Sequence, residues 1–198
     1  MPSTGGGGGS GATPSTGGAP GSGGSSACVV PKPGELDGDY FLALSAKLDA
    51  SKPIVFAVKV TTESFVGQLG MRWTMRSLLW SDRKTPVGDP IVPTQPPMKP
   101  FPIDALGNLH AQLDAFVVPG EANPISHTPL TLEIDLDAAV CGGGGFYCGT
   151  FSGNVTKPIP LDLAGSTWTL QKVSGAVFPE PPIIDCANNL AAPVGTLK

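Results

Sequence analysis

Charge is absent from the first 27 residues and thin beyond them. Met1 to Ala27 contains no Lys, Arg, Asp, Glu or His and is almost entirely Gly, Ser, Thr, Pro and Ala. Over the whole chain only 14% of residues are charged, 7% are aromatic and two are histidines. The net charge is −4, and Lys47, Lys59, Arg72, Arg76, Arg83 and Lys84 are spread rather than clustered. That excludes the basic footprint of a nucleic-acid protein and gives an anionic membrane surface nothing to attract. No apolar run approaches the roughly 18 residues that a spanning helix needs. The start, Met1-Pro2-Ser3-Thr4, has neither a basic n-region nor an apolar h-region. Our expectation is an export signal upstream of the residues given.

Catalytic signatures are missing as well. There is no G-x-S-x-G, hence no nucleophile elbow. There is no C-x2-C, which disfavours a zinc site built from the four cysteines. The glycines between Cys141 and Cys148 precede neither a helix nor a lysine, so they form no phosphate cradle. Cofactor expectations are therefore none, and metal ligands none.

What is present is a tether and a body. Residues 1–27 cannot bury enough apolar surface to offset chain entropy and read as a disordered Gly/Ser/Thr/Pro tether with an r.m.s. span of about 30 Å. Residues 28–198 read as one β-rich domain, long enough for a real core. Period-two alternation dominates it. Tyr40, Leu42, Leu44, Ala46 and Leu48 alternate with polar or smaller residues, then Ile54, Phe56, Val58 and Val60 do the same across the short Ala50-Ser51-Lys52 link. Leu69, Met71, Trp73, Met75 and Leu79 share a face. The Pro-rich stretch from Pro86 to Pro102 leaves room for a short edge strand near Ile91 and Val92. Gly107-Asn108 marks a second hairpin, whose later strand sets Leu109, Leu113 and Val117 against His110, Gln112 and Asp114. Leu130–Leu136, Tyr147–Val155 and Ser166–Leu170 complete about eight strands, and a short helical turn is expected near Ala187–Leu190. Meander order with one apolar face per strand permits an antiparallel β-sandwich or a flattened up-and-down barrel. A membrane-spanning barrel would alternate too, but the prolines, the tether and the lack of aromatic girdles oppose it.

The four cysteines suggest disulfides in an exported chain. Cys141 and Cys148 flank a glycine loop able to fold back, and Cys28 and Cys186 sit at the edges of the body, so the expected pairs are Cys141–Cys148 and Cys28–Cys186.

Polar candidates are few. Glu133, Asp135 and Asp137 share a strand face at a spacing compatible with a carboxylate pair or a calcium site, against the plainer reading of a solvated face. Glu35-Leu36-Asp37-Gly38-Asp39 is a faint calcium-loop pattern without the later bidentate glutamate. His110 and His127 read as exposed polar residues, with Asp114 as a conceivable co-ligand. Asn154-Val155-Thr156 matches a glycosylation sequon by chance.

The stretch Cys148-Gly149-Thr150-Phe151-Ser152-Gly153, followed by Pro158-Ile159-Pro160-Leu161-Asp162-Leu163-Ala164-Gly165-Ser166-Thr167-Trp168, resembles the ending of exported lipoprotein-type β-rich proteins of Gram-negative soil bacteria. The resemblance covers the tether and the final third, implies export and a β-rich fold, and transfers no site residue. The combined expectation is a non-enzymatic, monomeric binding or adhesion domain at the cell envelope or outside the cell. Its ligand is unassigned, it has no nucleic-acid partner, and it touches a membrane only through an upstream lipid anchor. An exposed aromatic patch around Trp80 would favour adhesion. The alternative is a carrier holding a small apolar ligand among Phe56, Met71, Trp73, Met75 and Trp168. A carboxylate-dependent hydrolase stands behind both.

Overall fold

The computed structural model describes residues 28–93, 99–142, 144–175 and 177–196; the expected tether lies outside them. Ten strands form among the described residues: β1 (Gly38–Ser45), β2 (Ile54–Phe65), β3 (Gln68–Leu78), β4 (Pro86–Ile91), β5 (Phe101–Ile103), β6 (Asn108–Val118), β7 (Leu130–Ala139), β8 (Phe146–Lys157), β9 (Leu161–Asp162) and β10 (Ser166–Val173). Every pairing is antiparallel. The order β10-β1-β2-β3-β5-β6-β7-β8 closes on itself through β8–β10, giving an eight-stranded barrel in meander order with β4 and β9 as short flanking strands. Of the two expected architectures the barrel is the one formed.

The interior follows the alternation. Tyr40, Leu42 and Leu44 of β1, Phe56 and Val58 of β2, and Met71, Trp73 and Met75 of β3 all belong to one buried cluster with Leu136, Phe151, Trp168 and Leu170. An eight-stranded barrel has an interior that side chains can fill. Trp73 sits edge-on to Phe101 at 5.3 Å and to Trp168 at 6.0 Å between centroids. Strand β8 makes room by alternating large and small inward positions: Tyr147, Gly149, Phe151, Gly153, Val155. A Cβ at Gly149 or Gly153 would collide with the Asp137 or Glu133 carbonyl of β7, so glycine is required where the two strands approach.

Two strands depart from the simple pattern. In β6 the register shifts between Leu113 and Phe116. Phe116 and Val118 therefore turn inward, and Val117, expected inside, is 57% exposed. A bulge adds one residue and so exchanges the faces beyond it. In β1 both faces are buried, because the C-terminal segment lies over the outer one. Phe178 stacks on Phe41 at 5.3 Å, and Phe41, Ala43, Val55 and Leu78 form a second cluster. Thr167 and Thr169 of β10 donate hydroxyl bonds to the Ile184 and Ile183 carbonyls. Buried Arg83 pairs with Glu180 at 3.0 Å. Around Ala187–Leu190 the chain makes no helix; Asp185 accepts the Ala187 and Asn189 amides, and Ile183 bridges Leu190.

The cysteine pairing differs from expectation. The bonds are Cys28–Cys141 and Cys148–Cys186. Cys148 stands on the outward phase of β8, opposite Thr169 of β10, where the C-terminal segment delivers Cys186. Cys141 follows β7 at one end of the barrel, where the Gly142 amide donates to the Val29 carbonyl and brings Cys28 alongside. Hairpin closure fails because the two cysteines of the glycine loop face different neighbours. Two disulfides point to an oxidising, extracytoplasmic environment. No helix among the described residues is long and apolar enough to cross a membrane.

Candidate functional site

The two ends of the barrel are built differently. At the end where β1 begins, residues 28–37 lie across the opening. Leu36 is buried in the core, its carbonyl accepts the Tyr40 hydroxyl at 2.8 Å, and Val30 packs beside it. Burial of Tyr40 pushes its phenol pKa well up, so it stays a neutral donor. Cys28–Cys141 staples this end.

The opposite end is open. Here β1 finishes, β2 begins, β6 finishes, β7 begins, β8 finishes and β10 begins. A cavity of about 490 Å³ lies among them. Leu44, Ala46, Leu48 and Ile54 form one wall, and Leu130, Leu132, Phe151 and Val155 form the floor and the facing side. Pro158, Ile159, Pro160, Leu161 and Leu163 make a third wall. Short β9 holds that wall in place through Asn154–Asp162 and Val155–Leu161, and the Leu163 amide donates to the Gly153 carbonyl.

The fourth wall is the loop after β6, contributing Asn123, Ile125, Ser126 and Thr128. Its polar groups are spent on one another. The Asn123 amide donates to Ser126 Oγ at 2.6 Å and to the Thr128 carbonyl at 2.9 Å, and its Oδ1 accepts the Ile125 amide at 3.1 Å. Ser126 Oγ and Thr128 Oγ1 are 2.8 Å apart. Behind the loop, His127 lies on Trp80 at 4.6 Å between ring centroids, and the Trp80 amide donates to the Glu121 carbonyl. Trp80 is thus half-buried against this loop and offers no aromatic patch. No Lys, Arg, His, Asp or Glu lines the cavity. Such a surface favours apolar groups and penalises a buried charge.

The expected lining residues are elsewhere. Phe56, Met71, Trp73, Met75 and Trp168 are buried in the core; none borders the mouth, and Met71 and Trp73 border a separate cavity of about 290 Å³ with Phe101. The mouth residues were missed because they sit at strand ends. One signal was legible: Leu48, Ile159 and Leu161 are apolar where strand and turn residues should become polar.

The polar candidates fall on the outer wall. Glu133, Asp135 and Asp137 project from β7, and His110 of β6 meets Asp137 with Nδ1 and Oδ1 2.8 Å apart and Asp135 more loosely at 3.9 Å. His110 and Asp137 are 59% and 61% exposed. They edge a shallow groove that also includes Thr150. Nothing there desolvates the imidazole or screens a reacting group from water. His127 lies behind the mouth loop, against Trp80, and does not join His110. Asp37 is committed to the amide and hydroxyl of Thr62, and Glu35 to the Lys32 amide. Among the described residues no three His, Cys, Asp or Glu groups are placed to hold a metal ion. No family model, curated protein or solved structure matches this chain.

Proposed function

We propose that this chain is a non-enzymatic binding domain of the cell envelope or extracellular space, and that it takes a small apolar ligand into the open end of its barrel. The observation that carries the reading is the 490 Å³ mouth without a charged lining residue, a volume within the range of about 300–1,000 Å³ typical of small-molecule sites. The closed end supports it, since residues 28–37 cover it and the core beneath the mouth is already filled. The exposed His110–Asp137 pair favours a solvated face over hydrolysis. Placement outside the cytoplasm draws on the two disulfides. Attachment through residues 1–27 to an upstream lipid anchor is our reading of their composition. Residue 28 enters at the closed end, opposite the mouth.

The test is extraction of protein produced in an oxidising compartment. Organic solvent should release an apolar compound near one per chain from the native protein. Ala46→Trp, which fills the mouth, should carry none while keeping its melting temperature within a few degrees. Equal recovery from both proteins would contradict the reading.

A further inference from the structure

The mouth holds no cation, yet two stand at its edge. Lys47 lies between the lining residues Ala46 and Leu48, and Lys157 immediately precedes lining Pro158. Both are exposed. Neither has an ion-pair partner among the described residues. The Lys47 side chain runs along the turn after β9, where a Cβ on Gly165 would lie 3.8 Å from its Nζ. Two carboxylates stand nearby, one of them neutralised by a lysine and the other, Asp162 between lining Leu161 and Leu163, still charged. Asp49 pairs with Lys52 at 3.5 Å and accepts the Ser51 hydroxyl at 2.6 Å. Asp162 accepts the Ala164 amide at 2.9 Å. The rim also exposes apolar side chains, Leu48 at 66% and Ile159 at 74%. The arrangement is an uncharged apolar socket with a lip of exposed aliphatic side chains, two unpaired positive charges and one carboxylate, a net positive rim.

We infer that the ligand is an anionic single-chain amphiphile, its alkyl chain seated in the mouth and its acidic head group outside, between Lys47 and Lys157. This rests on the apolar-ligand reading above and adds the sign of the head group. The apolar lining excludes a buried carboxylate, sulfate or phosphate, so the charged end must remain at the rim, where the free cations are. The cavity volume, in the lower half of the small-molecule range, suits one chain. Such a ligand has two sources, free amphiphile or a lipid leaflet, and both present the same chemistry.

The experiment uses the full chain and competes decanoate, decanol and decyltrimethylammonium, below their micelle concentrations, against the neutral fluorophore N-phenyl-1-naphthylamine. Decanoate should displace it about three- to tenfold better than decanol, the scale of two exposed charge contacts, and decyltrimethylammonium should be the poorest. Lys47→Gln with Lys157→Gln should bring decanoate to the decanol level and leave decanol unchanged. Raising the salt to 0.5 M should shrink the advantage, because exposed charges are screened. Decanoate equal to decanol, or an advantage that survives the double substitution, overturns the inference and leaves the apolar-ligand reading standing. Failure of the fluorophore and all three competitors to bind overturns both. Co-sedimentation with anionic phospholipid vesicles separates the sources. Retention that the double substitution abolishes assigns a bilayer source, and decanoate binding without retention assigns free amphiphile.

Discussion

Two tryptophans in the same core carry different obligations. The Trp168 indole N–H donates to the carbonyls of Asp137 and Thr150, both at 3.1 Å. The Trp73 indole N–H is buried without a partner. Removing a satisfied donor leaves its acceptors underused, whereas removing an orphan relieves a desolvation cost. We therefore expect Trp168→Phe to cost about 2–3 kcal/mol and Trp73→Phe about 1 kcal/mol or less, by urea denaturation. Equal costs would mean the hydrogen bonds are misassigned. Val66 offers the opposite case. It takes φ 49° beside Gly67 at φ 77° in the β2–β3 turn, and its side chain is 86% exposed. Two positive φ values in a two-residue hairpin suit Asn-Gly, not a β-branched residue. Val66→Asn should raise stability by about 0.5–1 kcal/mol; a loss would place the strain elsewhere. The inward phase of both tryptophans was legible from alternation, but which indole finds a carbonyl was not, since the carbonyls belong to other strands.

The elements show where periodicity stops being informative. Within β1, β2, β3 and β7 the inward residues follow the alternation, but Leu48, expected inward, lies beyond β1 and is 66% exposed, and Leu79 lies beyond β3. The β6 bulge was invisible, since Asp114 and Ala115 carry no mark that one of them is extra, and it reversed Val117. The second burial of β1 was invisible too, because it depends on a C-terminal segment more than a hundred residues away. That segment has an acid-sensitive fastening. Asn189 and two backbone amides hydrogen-bond the Asp185 carboxylate and hold its pKa below the ordinary value. A carboxylate whose folded pKa is depressed stabilises the fold above its unfolded pKa, about 3.9, and loses that contribution as pH falls through the folded value. Asp104, bonded by Asn108 in the β5–β6 turn, has the same sign. Stability should be flat from pH 7 to 5 and decline below about 4, and Asp185→Ala should make the decline shallower. An unchanged slope in the variant would detach Asp185 from the acid response.

At the scale of the molecule, barrel closure depends on β1 meeting β10, a first-to-last pairing no local pattern announces, so sandwich and barrel stayed equal in the sequence. The same long-range geometry decided the cysteines: each pairs with the segment the fold brings beside it. Non-reducing peptide mapping should find Cys28 linked to Cys141 and Cys148 linked to Cys186; the crossed pairs would refute the end-on arrangement. The bonds close loops with sequence separations of 113 and 38, which the chain-entropy model values at about 5 and 4 kcal/mol before strain. One end is stapled shut and the other is lined by Leu44, Leu132, Phe151, Val155 and the Pro158–Leu163 wall, so the proposed ligand would enter at the open end. The most direct test of that claim is a titration of neutral N-phenyl-1-naphthylamine against native protein, Ala46→Trp at the mouth and Val66→Asn at the far end. Saturable binding near one site per chain, lost in Ala46→Trp and kept in Val66→Asn, is the result this structure predicts. No saturable binding, or binding that Ala46→Trp leaves intact, would contradict it.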